Sequence, residues 1–179
     1  MLAAYCYFQS EINSLTSTKL LNWFQRGCNL GVDEFHLFIN SRGGSVPIAL
    51  GVATFFLSVP VKLVTYNCSH CDSASVLLYL AGGERICSPR ASFFLHSLQV
   101  ELKGMVSISR LESEMESLKV DTENMIQFYT DQTGFPSDVW REKLSDSGTS
   151  ISSDDSLILG MSTSVKRVVL GGKSQLETI

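Results

Sequence analysis

The sequence predicts an α/β fold in which helices pack on a mostly parallel sheet. Segments typical of strands alternate with segments typical of helices from the N-terminus to about residue 96. One long amphipathic helix follows, at about residues 104–131. The sequence contains no internal repeat and no linker long enough to divide the chain. We therefore predict a single domain at residues 1–170 and a C-terminal tail at residues 171–179.

The composition excludes some classes of function. A chain of 179 residues can enclose one hydrophobic core, and 44% hydrophobic with 18% charged residues is typical of a folded globular protein. The net charge of −4 gives no electrostatic reason to bind nucleic acid. No uninterrupted apolar run reaches the roughly 20 residues that a membrane helix needs. We expect neither nucleic acid nor a membrane as a partner.

The cysteines and the N-terminus favour a cytoplasmic protein. The five cysteines are odd in number and form no disulfide-like framework, which suits a reducing compartment. The apolar stretch at residues 1–8 is too short for a signal peptide and lacks a basic start. A secreted protein is the less favoured alternative.

The first strand and helix are predicted from an apolar segment and its flanking signals. Residues 3–8 form the strand. A helix of about twelve residues follows, and its limits are set by N-cap candidates at Asn13, Ser14 and Thr16 and by closing glycines at Gly27 and Gly31.

The next strand–helix–strand unit contains a pair of glycines. Residues 34–39 alternate too little for a surface strand and indicate a buried one. Gly43 and Gly44 stand between this strand and an apolar helix that runs to about Ser58, just before Pro60. Paired glycines at such a junction let the backbone approach another molecule and direct its N–H groups outward. A third strand is predicted at residues 61–66.

The segment after this strand is predicted to be a polar turn, at residues 67–72, followed by an apolar helix from Ser73 to Ala81. Three further strands are predicted, and they lie at residues 85–87, 91–96 and 165–170. Residues 171–179 are expected to be a loose end. In the serine- and aspartate-rich segment before Gly160, Ser152 or Ser153 is expected to cap a short helix.

The helix predicted at residues 104–131 has a narrow apolar stripe. Apolar residues recur at alternating steps of three and four, at Ile108, Leu111, Met115, Leu118, Thr122, Met125 and Tyr129. The stripe could pack on the core of its own domain. Its length and narrowness favour a contact between subunits.

Cys68, His70 and Cys71 are a possible redox or metal site. They follow a predicted strand and precede a predicted helix, where a helix N-terminus would lower a thiol pKa. The four consecutive residues 68–71 alone make a poor tetrahedral zinc site. No second Cys or His pair stands at zinc-site spacing. An incidental turn is the favoured interpretation, so we predict no metal and no cofactor.

Ser73 and His96 are the candidates for nucleophilic catalysis. Ser73 follows a buried strand and begins a helix, whose N–H groups could stabilise a developing negative charge. A serine nucleophile needs a base, and His36 and His70 are less well placed for that role than His96. Either residue could instead be structural, Ser73 as a helix cap and His96 as a satisfied histidine.

Residues 39–96 resemble the proteolytic subunit family of the Clp protease. The family has an Asn-Ser-Pro-Gly-Gly segment, then a serine at a helix start before an Ala-Gly pair, then a histidine ending a strand. The corresponding residues here are Asn40-Ser41-Arg42-Gly43-Gly44, then Ser73 ahead of Ala81-Gly82, then Phe93-Phe94-Leu95-His96. The register from Gly44 through Ser73 to Gly82 runs without a gap.

The resemblance implies a fold, an activity and an assembly. The fold would be a ClpP/crotonase-like spiral of β-β-α units, with the helix at 104–131 as a protruding handle. Ser73 would attack a peptide carbonyl with His96 as the base, and the N–H groups of Gly44 and Ala74 would form the oxyanion hole. The substrates would be peptides or unfolded proteins. The chain would form a homo-oligomeric ring through the handle, with an ATPase unfoldase as a possible partner.

This sequence departs from the family pattern at several positions. Arg42 replaces the usual proline, Ser69 replaces a glycine, and Asp72 before Ser73 resembles a divergent branch of Clp-like peptidases. Gly148 stands where the aspartate that orients the histidine would be, and Asp146 could reach His96 only through a loop shift. We predict Asp146 as the third catalytic residue, with a serine–histidine dyad as the alternative.

Three functional hypotheses follow from these features. The first is a serine endopeptidase of Clp type. The second is a catalytically weak or inactive Clp-like subunit that builds or regulates a ring, favoured by the missing aspartate. The third is a crotonase-type acyl-CoA enzyme, which would need carboxylates near the oxyanion hole and no serine–histidine pair.

Overall fold

The computed structural model describes residues 2–168 and 176–179. The strands of these residues form one eight-stranded sheet. In chain order the elements are β1 (Ala3–Phe8), α1 (Ser14–Asn29), β2 (Glu34–Ser41), α2 (Val46–Ser58), β3 (Lys62–Asp72), α3 (Ser75–Leu80), β4 (Glu84–Cys87), β5 (Ser92–Leu95), α4 (Ile108–Thr133), α5 (Ser137–Lys143), β6 (Thr149–Ser152), α6 (Ser153–Ile158), β7 (Ser164–Val165) and β8 (Leu176–Thr178). No helix in the described part of the chain is long and apolar enough to cross a membrane.

The sheet is parallel except at one end. Its strand order is β6-β5-β3-β2-β1-β8, with β4 pairing with both β3 and β7, and only the β5–β6 pair among the described strands is antiparallel. The predicted α/β fold with a mostly parallel sheet is confirmed. Strand β3 pairs first with β4 and then with β5 on the same side. This change of partner brings the end of β5 beside the end of β3.

The main core lies between the sheet and the helices that pack on it. Phe24 of α1 and Phe35 of β2 are fully buried, with ring centroids 4.3 Å apart. Helix α1 is longer than predicted because Gly27 lies inside it and does not end it. A Cβ at Gly27 would lie 2.6 Å from Phe35 Cζ, so only glycine lets α1 approach β2 this closely. Asn13 is the N-cap, in a reciprocal capping box with Thr16.

The predicted turn at residues 67–72 is wrong, because β3 continues to Asp72. Its last residues are held in the sheet by parallel pairing with β5, from His70 opposite Ser92 to Asp72 opposite Phe94. The polar residues of this segment indicated a turn. The pairing of its backbone with a strand that comes later in the chain decided the outcome instead.

Helix α4 has one buried and one exposed half. It begins after the N-cap Ser107 and ends at Gly134, which adopts a left-handed conformation with φ of 76°. In its C-terminal half Met125 and Tyr129 are buried in the protein's own core. In its N-terminal half Leu118 is half-buried, whereas four other apolar residues are exposed, namely Ile108, Leu111, Met115 and Val120. Each half therefore fits one of the two interpretations of the apolar stripe.

The C-terminal part of the chain differs most from the expectation. Helix α5 and strand β6 were not predicted, whereas α6 has the expected N-cap, Ser152, whose hydroxyl accepts from Asp155 N. The strand expected at 165–170 is limited to Ser164–Val165 within the described residues. The expected loose end at 171–179 is wrong for Leu176–Thr178, which pair in parallel with the edge of β1. Residues 169–175 lie outside the described part.

Candidate active site

Ser73 lies in a strained turn between β3 and α3. Its φ is 53°, the only positive value among the described non-glycine residues. A non-glycine residue in this region costs about 1–3 kcal/mol, and such strain concentrates at functional sites. Helix α3 begins only at Ser75, so Ser73 does not cap it. The Ser73 amide donates to Phe94 O at 2.7 Å, which fixes the turn against β5.

His96 lies in the same cleft as Ser73. It directly follows β5, whose Phe94 pairs with Asp72 of β3, so the two chain segments leave the sheet side by side. Ser73 and His96 both line a cleft of about 320 Å³. No hydrogen bond joins the side chains of Ser73 and His96 in this structure. The sheet brings together two residues that are 23 positions apart in the sequence.

The second residue of the glycine pair, Gly44, lines the cleft together with residues 45–47. Gly43 and Gly44 have φ values of 100° and 144°, which favour glycine. Gly44 forms a bridge with Ile12, whose amide donates to Gly43 O at 2.8 Å and whose carbonyl accepts from Ser45 N at 2.9 Å. A Cβ at Gly44 would lie 2.7 Å from Ile12 N and closer still to Ile12 O, so the contact admits no side chain.

The backbone amides of Gly44 and Ala74, the pair predicted as the oxyanion hole, have no hydrogen-bond acceptor among the described residues. Gly44 lines the cleft, and Ala74 directly follows Ser73 and is buried. The two loops touch, because a Cβ on Gly43 would lie 2.8 Å from Ser73 Cβ and 3.0 Å from Ala74 N. Unpaired amides are uncommon in folded proteins and form a natural site for a developing negative charge.

The imidazole of His96 is oriented by a carbonyl. Its Nδ1 lies 2.6 Å from Ser97 O. A carbonyl oxygen can only accept, so Nδ1 carries a proton, and in the neutral ring the lone pair then lies on Nε2. This is the tautomer that a general base facing Ser73 requires.

Asp146, the predicted third catalytic residue, contacts Ser97 and not the imidazole of His96. The Ser97 hydroxyl donates to Asp146 Oδ1 at 2.6 Å, and the Ser97 amide donates to Ser145 O at 3.2 Å. No carboxylate within the described ranges comes within ion-pair distance of His96. Asp146 is therefore connected to His96 through Ser97, a residue that sequence reasoning missed although it directly follows His96.

A phenylalanine ring fills the place beside Gly148. A Cβ at Gly148 would lie 2.7 Å from Phe94 Cε2, and the Phe94 and His96 ring centroids are 5.8 Å apart. Gly148 also has a φ of 73°. Ring and backbone conformation together oppose any side chain at the position where the family resemblance places the orienting aspartate.

Arg42 and Asp72, two of the departures noted in the sequence, contact each other. Arg42 Nη1 donates to Asp72 Oδ2 at 2.7 Å, and His70 Nδ1 lies 3.9 Å from the same oxygen. The Asp72 side chain is only 6% exposed, whereas that of Arg42 is 76% exposed. Neither residue is among those that line the cleft of Ser73 and His96.

The opposite wall of the cleft comes from α4 and the segment before it. Leu98, Gln99 and Val100 line one part, and Glu114 and Asp121 of α4 line another. None of the described residues that line the cleft is a lysine or arginine. The cleft therefore combines apolar surface with two carboxylates.

The cysteine cluster does not have the properties of a redox pair. Cys68 and Cys71 lie in β3 and not at a helix N-terminus. Burial raises the pKa of Cys68 to about 11 and that of Cys71 well above the ordinary thiol value, which is the reverse of activation. All five cysteines are free, and no group of three potential metal ligands occurs in the described portion of the protein.

Comparison with known proteins decides the family. The model of the Clp protease family matches residues 29–168. The chain belongs to the Clp protease family. The resemblance found in the motifs around Gly44, Ser73 and His96 is thereby confirmed.

Individual relatives are distant. The ATP-dependent Clp protease proteolytic subunit 3 of Rhizobium meliloti (strain 1021) is 30% identical over 108 residues, which are 59% of this chain and 54% of that protein. The proteolytic subunit 1 of Rhodopirellula baltica is 30% identical over 76 residues, 41% of this chain and 34% of that protein. The matches therefore span about half or less of these relatives' lengths.

A solved structure shows the same fold. A point mutant of ClpP1 from Listeria monocytogenes superposes with a TM-score of 0.78 over 93% of this chain and 91% of that chain. The sequence identity is 17%, so this likeness concerns the fold alone. The predicted ClpP-like fold is confirmed by it.

Proposed function

We propose that this member of the Clp family is a serine-type endopeptidase, with Ser73 as nucleophile and His96 as general base. One observation carries the proposal: the strained Ser73, His96 and Gly44 line a single cleft, and Ala74 directly follows Ser73. The amides of Gly44 and Ala74 have no acceptors among the described residues. Each group fills a separate role in acyl transfer. No cofactor is needed for this chemistry.

The proposed reaction proceeds through an acyl-enzyme. Ser73 Oγ attacks the peptide carbonyl carbon while His96 Nε2 takes the hydroxyl proton, and the amides of Gly44 and Ala74 stabilise the oxyanion. His96 then donates this proton to the leaving amine as the C–N bond breaks. A water molecule attacks the acyl-enzyme ester with His96 again as base, which releases the new carboxyl end and restores Ser73.

The proposed substrates are peptides or unfolded proteins. The cleft runs between the segment 44–47 and the segment 98–100, so an extended chain can lie between two stretches of backbone. Strand-like addition to exposed backbone is a general mode of peptide binding, in which main-chain hydrogen bonds supply the affinity. In folded proteins most of the backbone is already hydrogen-bonded.

The proposed assembly is a homo-oligomeric ring joined through α4. The exposed apolar residues of its N-terminal half, Leu111 and Met115 among them, are an unusual cost for a monomer. An ATPase unfoldase is a possible partner, since the Rhizobium relative is named as an ATP-dependent subunit. A cytoplasmic location is part of the same proposal.

A catalytically weak ring subunit is the second candidate. Two observations favour it: Ser73 and His96 are not hydrogen-bonded to each other, and a carbonyl orients His96 where serine proteases use a carboxylate. Membership of the Clp family gives no support to the crotonase-type acyl-CoA alternative.

Labelling with a fluorophosphonate probe tests the proposal. We expect the wild type and the control Ser69→Ala to be labelled, whereas Ser73→Ala is not labelled and His96→Ala is labelled at least about 100-fold more slowly. Ser69 is a suitable control because it lies on β3, the strand that leads into Ser73, and does not line the cleft. Labelling that persists in Ser73→Ala would refute the assigned nucleophile. An unlabelled but assembled wild type would support the scaffold alternative.

A further inference from the structure

We propose that the ion pair between Arg42 and Asp72 is a positioning device that holds the two oxyanion donors at their working separation. This inference rests on the proposed peptidase function and adds a role for two residues outside the Ser73–His96 pair. Its basis is the position of the pair relative to the donors. Arg42 comes two residues before Gly44, and Asp72 comes two residues before Ala74.

The pair joins the two loops from behind the cleft. Arg42 lines a separate pocket of about 630 Å³, together with Asn40 and His70, and this pocket also includes Gly43 and Gly44. Gly44 therefore lines both the cleft and the Arg42 pocket. Since neither Arg42 nor Asp72 lines the cleft, the pair acts on the donors and not on the substrate.

The buried carboxylate makes this contact more than a surface ion pair. The Asp72 side chain is 6% exposed, and Arg42 Nη1 lies 2.7 Å from its Oδ2. Without Arg42 this buried carboxylate would keep only His70, whose Nδ1 lies 3.9 Å from Oδ2, as a charged or polar side-chain partner among the described residues. We expect that loss to disturb the turn that sets the conformation of Ser73.

Ile12 holds the glycine loop on the side of α1, but its hydrogen bonds do not tie the loop to the Ser73 turn. Gly43 and Gly44 can adopt many conformations, so the direction of the Gly44 amide must be fixed by contacts with neighbouring segments. On the inner side Ser75 Oγ lies 2.7 Å from Asp72 O and 3.0 Å from Ser41 O. Arg42 and Asp72 supply the corresponding tie on the outer side.

Kinetics of matched variants test the positioning role. We expect Arg42→Ala and Asp72→Asn each to lower kcat by about tenfold or more while KM changes less than about twofold, since misplaced donors weaken mainly the transition state. Arg42→Lys keeps a cation and is expected to restore most of kcat. The double variant should be little worse than either single variant, because the two residues act as one unit.

The control is a second arginine–carboxylate pair, neither residue of which lines the cleft. Arg141 donates two hydrogen bonds to Glu123, at 2.6 and 2.9 Å, on the protein surface. Arg141→Ala should leave kcat within about twofold of the wild type, because exposed ion pairs contribute little. Thermal unfolding of each variant identifies any loss of activity that is due only to misfolding.

A readout that does not need activity separates failure of this inference from failure of the proposed function. Hydrogen exchange is measured for peptides that cover residues 41–46 and 72–76, and we expect faster exchange in both segments for Arg42→Ala but not for Arg141→Ala. An inactive wild type with this exchange pattern would refute the peptidase while supporting the coupling of the loops. An active wild type whose kcat is unchanged in Arg42→Ala and Asp72→Asn would overturn the positioning role.

Discussion

Gly148 and Phe94 explain why His96 has no carboxylate partner among the described residues. The Phe94 ring occupies the space that a side chain at residue 148 would need, and Gly148 has a left-handed backbone. An aspartate at this position would orient the His96 ring and hold a proton on its Nδ1. The carbonyl of Ser97 does the second of these, since Nδ1 lies within hydrogen-bond distance of it. It carries no full negative charge, so it stabilises the imidazolium less than a carboxylate would.

Gly43 allows a first prediction at the level of single residues. Gly43→Ala would place a Cβ 2.7 Å from Asp72 O and 2.8 Å from Ser73 Cβ, at a φ of 100°. The glycine loop must then move away from the turn that contains Ser73. We expect a loss of about 1–3 kcal/mol in the free energy of unfolding and at least a tenfold loss of kcat. Chemical denaturation and peptide hydrolysis measure the two effects.

The control for this prediction is Gly31→Ala. Gly31 also has a positive φ, of 74°, but a Cβ there would meet no atom within 4 Å. It should lower stability through backbone strain alone and leave kcat unchanged. Equal losses of kcat in the two variants would show that the contact between the loops is not the cause of the loss in Gly43→Ala.

His36 gives a prediction for the dependence of stability on pH. Burial lowers the pKa of His36 from its ordinary value of 6.5, an effect that nearby Glu34 only partly opposes. The unfolded chain therefore binds the proton more readily than the folded protein does. The stability that His36 contributes is present above pH 6.5 and is lost as the pH falls through 6.5 towards the lowered value.

Replacement of His36 tests this prediction. In His36→Phe the ring can still stack on Tyr5, whose ring centroid lies 4.6 Å from that of His36, but the titrating group is gone. We expect the free energy of unfolding to fall less between about pH 7.5 and 5.5 in the variant than in the wild type. Parallel pH profiles would contradict the prediction.

At the scale of elements, the two halves of α4 have different surroundings. Its C-terminal half belongs to the core, where Tyr129 packs edge-on against Trp140 with ring centroids 5.4 Å apart. Its N-terminal half exposes apolar residues and contributes Glu114 and Leu118 to the cleft. A contact on this half would therefore lie next to the candidate active site.

The exposed half of α4 gives a prediction about assembly. The double variant Leu111→Glu/Met115→Glu places charges on residues that are 46% and 50% exposed, so the monomer fold should persist. We expect it to be smaller than the wild type by light scattering at micromolar concentration, because charges in an apolar contact oppose association. Lys119→Glu, on the same helix, is the control. A wild type that is strictly monomeric would refute the ring proposal itself.

The β3–β5 pairing is the element-level feature that builds the candidate site. The sequence located Ser73 and His96 and their family pattern. It did not show that β3 runs on to Asp72, because residues 67–72 are polar enough to be mistaken for a turn. Pairing between segments distant in the chain overrides such local preferences.

At the scale of the whole molecule, the C-terminal residues close the sheet at the β1 edge. Ile179 O accepts from Gln9 N at 2.9 Å, and Ile179 N donates to Tyr7 O at 2.9 Å. Glu177 pairs with Arg26 of α1 at 2.6 Å. The last residues therefore tie the sheet edge to the first helix.

Deletion of residues 176–179 is expected to destabilise the protein. The β1–β8 ladder would be lost, together with the two backbone hydrogen bonds of Ile179 and its buried side chain. We expect a cost of at least about 2–4 kcal/mol. Chemical denaturation measures the change. Glu177→Gln, which removes only the exposed ion pair, should cost less than about 1 kcal/mol. An unchanged stability in the deletion variant would show that β8 contributes nothing to the fold.

The sequence by itself determined the α/β class, the family motifs, and the candidates Ser73, His96, Gly44 and Ala74. These features depend on local hydrophobic patterns and on residue types at fixed spacing, which are present in any conformation of the chain. It also showed that Gly148 replaces the expected aspartate.

Only the tertiary structure decided how the departures from the family pattern relate to one another. Arg42 and Asp72 are 30 residues apart in the chain, and only the parallel pairing of β2 with β3 brings them to 2.7 Å. Likewise, Phe94 meets Gly148 because β5 pairs with β6 in antiparallel fashion. Contacts of this kind depend on the packing of segments that are distant in sequence, and a local pattern carries no information about them.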